Sequence, residues 1–343
     1  MLTNNATNGG DGSFAHSEIS LPRPIRFWLM LLFNVPSVIC DFCIIMHIMM
    51  NRRRRSALHN HAIFIVILFN LPVQIIDINF HLLFLHYGSV QPPKPIVCLI
   101  WWLNDYGFYI GGIMVMAWLA IERHILVFHK QWIANLTGRL FLHYLPMATI
   151  VTYILLFYII VIFFLNCEDT YDYKLPICNA SPCYQNYGIL GIWEFIFNTT
   201  TPILVEGIAS ILFIMRIIWQ KQRLRRSVEW RKQRRLTIQL ILMSVLNISF
   251  NLPIYLIPLA HLFGLPPEYG VQPELYFFFL GYFVIFLFPF ICLSQYPGLR
   301  KSLKRKILCM TSQDHHATAT VAPTEMATRI GTLARYKSAM VHE

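Results

Sequence analysis

Six carboxylates stand inside, or at the edge of, long apolar stretches of this 343-residue sequence: Asp41, Asp77, Asp105, Glu122, Glu194 and Glu206. An ionised carboxylate in hydrocarbon is costly unless it is paired or hydrogen-bonded, so each acid marks a place where a partner must come. Asp105 and Glu194 have no internal basic partner in view, which favours a cation supplied from outside. Tyr109, Asn198, Asn251, Tyr255 and Tyr282 would complete a polar, aromatic chamber around them. The competing account keeps both acids protonated and bonded to neighbouring tyrosines. Asp77, His81 and Glu206 read as structural, with Glu206 placed to meet Asn247. No metal-ligand set and no nucleophile–base arrangement is found, so neither an enzyme nor a cofactor is expected. Cys40-Asp41-Phe42-Cys43 has a C-x-x-C spacing, but on a stretch that would lie in lipid.

Seven stretches could carry these residues across a membrane, which takes about 20 apolar residues. They are Phe27–Met50, Ala62–Leu85, Cys98–Ile121, Leu140–Leu165, Tyr187–Trp219, Leu236–Phe263 and Leu275–Tyr296. Composition demands the same answer. Hydrophobic residues make up 56% and charged residues 13%, against about 25% charged in a soluble chain. Disorder, a secreted disulfide scaffold and a cytosolic enzyme are excluded. A membrane β-barrel is too, since it would alternate over segments of about ten residues. The expected fold is an all-α membrane protein, a seven-transmembrane helix bundle over residues 25–296. An N-terminal tail (1–24) precedes it. A short amphipathic membrane-surface helix (297–309) and a disordered polar tail (310–343) come after it.

The net charge of +11 reads as topology. Of 28 Lys and Arg, only Arg23, Arg26, Lys94 and Lys174 fall in the N-terminal tail or in the second and fourth connections. The others lie in, or at the membrane edge of, the remaining connections and the C-terminal tail. Dense blocks run over Arg52–Arg55, Lys221–Arg235 and Arg300–Lys306. Positive charge stays cytoplasmic, so the N-terminus is expected outside and the C-terminus inside. Every block abuts a span, so membrane lipids and not nucleic acid are the expected partners, at about 1 kcal/mol per basic residue. No signal peptide precedes the first span, which must act as its own insertion signal. Asn5-Ala6-Thr7 is a glycosylation sequon on the outer side.

Cysteine placement agrees with that orientation. Cys98 opens the third span, and Cys167, Cys178 and Cys183 crowd the external loop between the fourth and fifth. Four thiols on the oxidising side can make two disulfides. One bond tethers the loop to the third span, with Cys178 or Cys183 as the partner of Cys98 and Cys167 in the other.

Glu122-Arg123-His124 closes the third span, and Arg123 comes 25 residues after Cys98. The triplet and its interval resemble the acid-Arg-aromatic motif of rhodopsin-like (class A) G-protein-coupled receptors. Phe288-Pro289-Phe290-Ile291-Cys292 is similar to the Asn-Pro-x-x-Tyr motif of their seventh helix, with only the proline kept. The segment from Leu299 to Arg305 resembles their membrane-surface helix, with Cys309 placed for palmitoylation. Pro202 and Pro253 are expected to break the fifth and sixth helices, as in that family. The resemblance covers residues 25–309 and has clear departures. Asn251 stands where the family usually has tryptophan, and Cys292 where it has tyrosine. The interior trio, usually Asn, Asp and Asn, reads Asp41, Asn70 and Phe288. With Gly112 on the third span as well, the family's sodium pocket is expected to be absent, and Asp41 to face Asn70.

The resemblance implies a receptor in the plasma membrane. Its Glu122 would restrain Arg123 until a ligand releases the arginine towards a heterotrimeric G protein. Asp105, eighteen residues before Arg123, matches the aspartate that binds ammonium in the family's amine receptors, with Tyr282 as its brace. The ligand expected is therefore an extracellular small molecule or peptide that carries positive charge. The Ser- and Thr-containing tail would be a substrate for receptor kinases and then for arrestin. Retinal is not expected, because no span holds the lysine that a Schiff base needs. A seven-helix transporter or channel is the second reading. It predicts repeats, or broken helices with paired interior charges, and no repeat is seen.

Overall fold

A computed structural model describes residues 19–178, 182–223, 230–266, 269–300 and 305. Seven helices in it are long and apolar enough to cross a membrane. They are α1 (Arg23–Met50), α2 (Asn60–Tyr87), α3 (Pro95–Phe128), α4 (Leu136–Phe163), α5 (Gly188–Trp219), α6 (Ile241–Leu262) and α7 (Val271–Leu293). No strand occurs among the described residues. The chain is the expected seven-helix, multi-pass membrane bundle.

Helix α1 shows how the sequence selects its surroundings. Met30, Asn34, Ser37, Asp41, Ile44 and Ile48 recur at spacings of three and four and are buried. The opposite stripe, Trp28, Leu32, Val35, Ile39, Phe42 and Met46, is exposed and wholly apolar. A water-facing helix would reverse this pattern; a lipid-facing helix requires it, because only the inward stripe can hide polar groups. Helix α3 sits centrally and packs on α2, α4, α5 and α6. It runs seven residues beyond the predicted end at Ile121, so Glu122-Arg123-His124 lies within the helix and not at its edge.

Four of these helices contain a wide, π-helical turn: Val73–Asp77 in α2, Leu103–Phe108 in α3, Leu140–Tyr144 in α4 and Glu194–Thr200 in α5. Such a turn adds a residue, rotates the later residues about the helix axis and leaves a carbonyl poorly bonded. Side chains supply the missing donors: Thr199 and Thr200 donate to the carbonyls of Glu194 (3.1 Å) and Phe195 (2.8 Å). Two of the turns lie just before Pro146 and Pro202, whose rings would clash with a carbonyl four residues back. The expected break at Pro202 is therefore absorbed in a wide turn. At Pro253 there is no break either, since helix runs unbroken from Trp230 to Leu262.

The ends of the bundle differ. At one end, Cys98 is joined to Cys178 and Cys167 to Cys183, which resolves the open pairing. Trp102 donates to the Ile177 carbonyl at 2.8 Å and stacks on Tyr171. Ile177 and Cys178 are held at φ 57°, a left-handed conformation that non-glycine residues adopt only when surroundings impose it. Burial, then the Asp169 carboxylate, push the Tyr171 hydroxyl up to about 12, which keeps it a donor. The other end carries the Arg52–Arg55 turn between α1 and α2. A second unit begins at Tyr296, and its described residues include a helical turn over 297–300. Asn5, Cys309, most of the 297–309 helix and the 310–343 tail lie outside the described residues.

Candidate functional site

Three of the four wide turns carry a buried acid. Asp77 ends the turn in α2, Asp105 lies in that of α3, and Glu194 and Asn198 lie in that of α5. All four side chains are buried in the half of the bundle near its disulfide end.

Asp105 is buried and accepts the Tyr282 hydroxyl of α7 at 3.0 Å. Because that hydroxyl has one hydrogen, His81 Nε2, 2.7 Å away, must donate to the Tyr282 oxygen. His81 Nε2 also lies 3.5 Å from Asp77 Oδ1, and Trp101 Nε1 donates to the same oxygen at 2.5 Å. Asp77 and His81, read from sequence as merely structural, thus belong to the Asp105 cluster. Arg26, counted in sequence among the outer basic residues, is a buried residue of α1 within electrostatic reach of His81.

Glu194 accepts from Tyr158 of α4 at 2.9 Å. Asn198 accepts from Tyr153 at 2.8 Å, and the Tyr153 oxygen in turn accepts from Trp193. Both Asp105 and Glu194 act electrostatically on Tyr106, Tyr184 and Tyr255. Both acids thus lie within electrostatic reach of the same three tyrosines, and carboxylates beside aromatic rings are groups that attract a cation. Below them Tyr109 donates to Asn251 Oδ1 (2.5 Å), Asn251 to Asn247 Oδ1 (2.5 Å), and Asn247 to Glu206. The expected Glu206–Asn247 contact is present. Every ligand-site residue read from sequence is thus brought to the disulfide-end half of the bundle or to this ladder.

Near the basic end the structure adds partners that the sequence did not indicate. Glu122 is fully buried, and its Oε1 is held by His143 of α4 at 2.6 Å. Arg123 is buried and lines a small cavity with Met116, Leu119, Ser210, Phe213 and Ser244. His124 turns to α5, donating to the Ala209 carbonyl at 2.8 Å. Asp41 has a partner other than the one expected. It accepts from Gln74 Nε2 at 2.8 Å, while Asn70 Oδ1 stands beside Gly112. Gln74 further donates to Ser37, and its carbonyl accepts from Asn34. The swapped Asp41–Asn70 pair does not form.

Sequence reasoning missed Gln74, His143, His61, Trp101 and Tyr158. Gln74 had a signal, since it shares a helix face with Asn70 four residues away. His143 had only its isolation in an apolar span. Comparisons with protein-family models and with curated proteins return no match.

Proposed function

We propose that this chain is a divergent rhodopsin-like receptor of the plasma membrane, with its N-terminus outside. It binds a cationic extracellular ligand, an amine or a short basic peptide, and activates a heterotrimeric G protein at its basic end. One observation carries the reading. Helix α3 holds a buried acid near one end, Asp105, bonded across the bundle to Tyr282, and a buried Glu122-Arg123 pair near the other. A single rigid element thus spans the distance between a place for a cation and a place for a coupling protein. The Tyr109–Asn251–Asn247–Glu206 ladder runs between α3, α6 and α5 and supplies a contact that a ligand could repack. Phosphorylation of the 310–343 tail, arrestin binding and lipidation at Cys309 belong to the same proposal.

The test is a panel of amines and short basic peptides, read against several G proteins in cells that display the full chain. An active ligand should fail on Arg123→Ala at equal surface display. Unchanged activation by that variant would sink the reading. A transporter or channel is the second reading, and the same ladder of buried polar groups is what favours it. Ligand-driven ion flux in proteoliposomes without any G protein would select it.

A further inference from the structure

Three hydrogen bonds run in series near the basic end. Glu122 Oε1 lies 2.6 Å from His143 Nδ1, and His143 Nε2 lies 3.1 Å from His61 Nδ1. His61 Nε2 lies 2.6 Å from the Arg55 carbonyl oxygen. The chain thus links α3, α4, α2 and the turn after α1.

Three bonds need three protons. A carbonyl only accepts, so His61 Nε2 must carry one. An ionised Glu122 and two neutral imidazoles bring two protons in all. The third must come from solution, and we infer that Glu122, His143 and His61 form a binding site for one exchangeable proton. With the proton bound, all three bonds close and the cluster is neutral. When it leaves, one bond opens, and the turn after α1 is no longer fastened to α3.

The surroundings fit that role. Glu122 and His143 are buried, whereas His61 is partly exposed and offers the way in. Both nitrogens of His143 are used in line, so no point is shared by three ligand atoms as a metal would require. Imidazole is the side chain that exchanges its proton between about pH 5 and 8. The groups facing the chain are Tyr144, whose ring lies 4.7 Å from that of His143, and Arg123 beside Glu122. Arg54 and Arg55 stand on the turn, His47 ends α1 within electrostatic reach of Arg54, and Arg139 opens α4 with its Nε on the Ile133 carbonyl. From Phe42 to Ile76 and from Arg123 to Cys167 the sequence has no acid, so no carboxylate of these segments competes with Glu122 for the two histidines.

The test needs neither a ligand nor a G protein, so it stands apart from the receptor reading. The full chain in lipid nanodiscs, with isotope-labelled imidazole nitrogens, is followed by NMR from about pH 5 to about pH 9. His61 and His143, assigned with His61→Gln and His143→Gln, should change together in one transition. Each of those variants should move the transition of the remaining histidine to a different pH. Glu122→Gln supplies its own N–H to His143 and closes all three bonds with neutral imidazoles, so it should lose the transition yet keep the bonded signals. Two separate transitions, or an unaltered one in Glu122→Gln, would overturn the site. If a histidine variant does not fold, the Glu122→Gln comparison decides alone.

Discussion

Tyr282 donates its hydroxyl to Asp105 Oδ1 at 3.0 Å, joining α7 to α3 across 177 positions of sequence. The Tyr282 hydroxyl oxygen in turn accepts from His81 on α2, so one atom ties three helices together. Tyr282→Phe removes both bonds and leaves a buried carboxylate and a buried imidazole N–H without that partner. Each such orphan costs about 1–3 kcal/mol. Asp105→Asn retains an acceptor oxygen and should cost less. Thermal unfolding of the purified variants in detergent measures the difference. Equal losses would show that Tyr282 does not hold the cluster together.

The two disulfides should contribute unequally. Cys98–Cys178 spans 80 residues and Cys167–Cys183 spans 16. Chain-entropy reasoning gives about 3 kcal/mol for a loop near 15 residues and about 4.7 kcal/mol near 100. Cys98→Ser should therefore lower the yield of folded protein more than Cys167→Ser. Peptide mapping without reduction should recover the Cys98–Cys178 and Cys167–Cys183 pairs. A free Cys98 thiol would refute the staple.

Much of this arrangement was legible in the residues, and the limit has a physical cause. Apolar length gave the seven spans, because lipid tolerates no unsatisfied backbone. Regular helical spacing gave Tyr282 and Asn251 their inward faces, and the count of eighteen residues before Arg123 gave Asp105 its place on α3 although it lies in a wide turn. The wide turns were not legible. A π-helical turn changes the helical register, and it is Gln74, within the turn that begins at Val73, and not Asn70, before it, that reaches Asp41. Histidines on different helices, such as His61 and His143, become a chain only once packing brings them together.

Gln74 is consequently the residue on which the polar group in α1 depends. Its side chain donates to Asp41 and Ser37. Gln74→Leu should strand the Asp41 carboxyl in hydrocarbon and cost about 1–3 kcal/mol or more. Asn70→Leu should cost less, and Asp41→Asn, which can still accept from Gln74, should be mild. A larger drop in unfolding midpoint for Asn70→Leu than for Gln74→Leu would restore the swapped pair and contradict the bonds described.

The ladder from Tyr109 to Glu206 makes the most specific prediction, because a glycine guards it. A Cβ on Gly281 would stand 2.8 Å from the Tyr109 hydroxyl oxygen and 3.6 Å from Asn251 Oδ1. The hydroxyl is fixed by its 2.5 Å bond to Asn251, so it cannot yield without breaking that bond. Gly281→Ala should therefore displace Tyr109 and leave Asn251 short of a donor. In a Tyr109→Phe background the oxygen is gone, and the same alanine meets chiefly the flexible end of Ile254, 3.1 Å away. The cost of Gly281→Ala should be lower there, with a coupling of about 0.5–3 kcal/mol between the two sites. Four unfolding curves, for the wild type, both single variants and the Gly281→Ala/Tyr109→Phe double variant, measure the coupling. An alanine equally costly in both backgrounds would mean that Gly281 serves helix packing, and that the hydroxyl does not depend on the space it leaves.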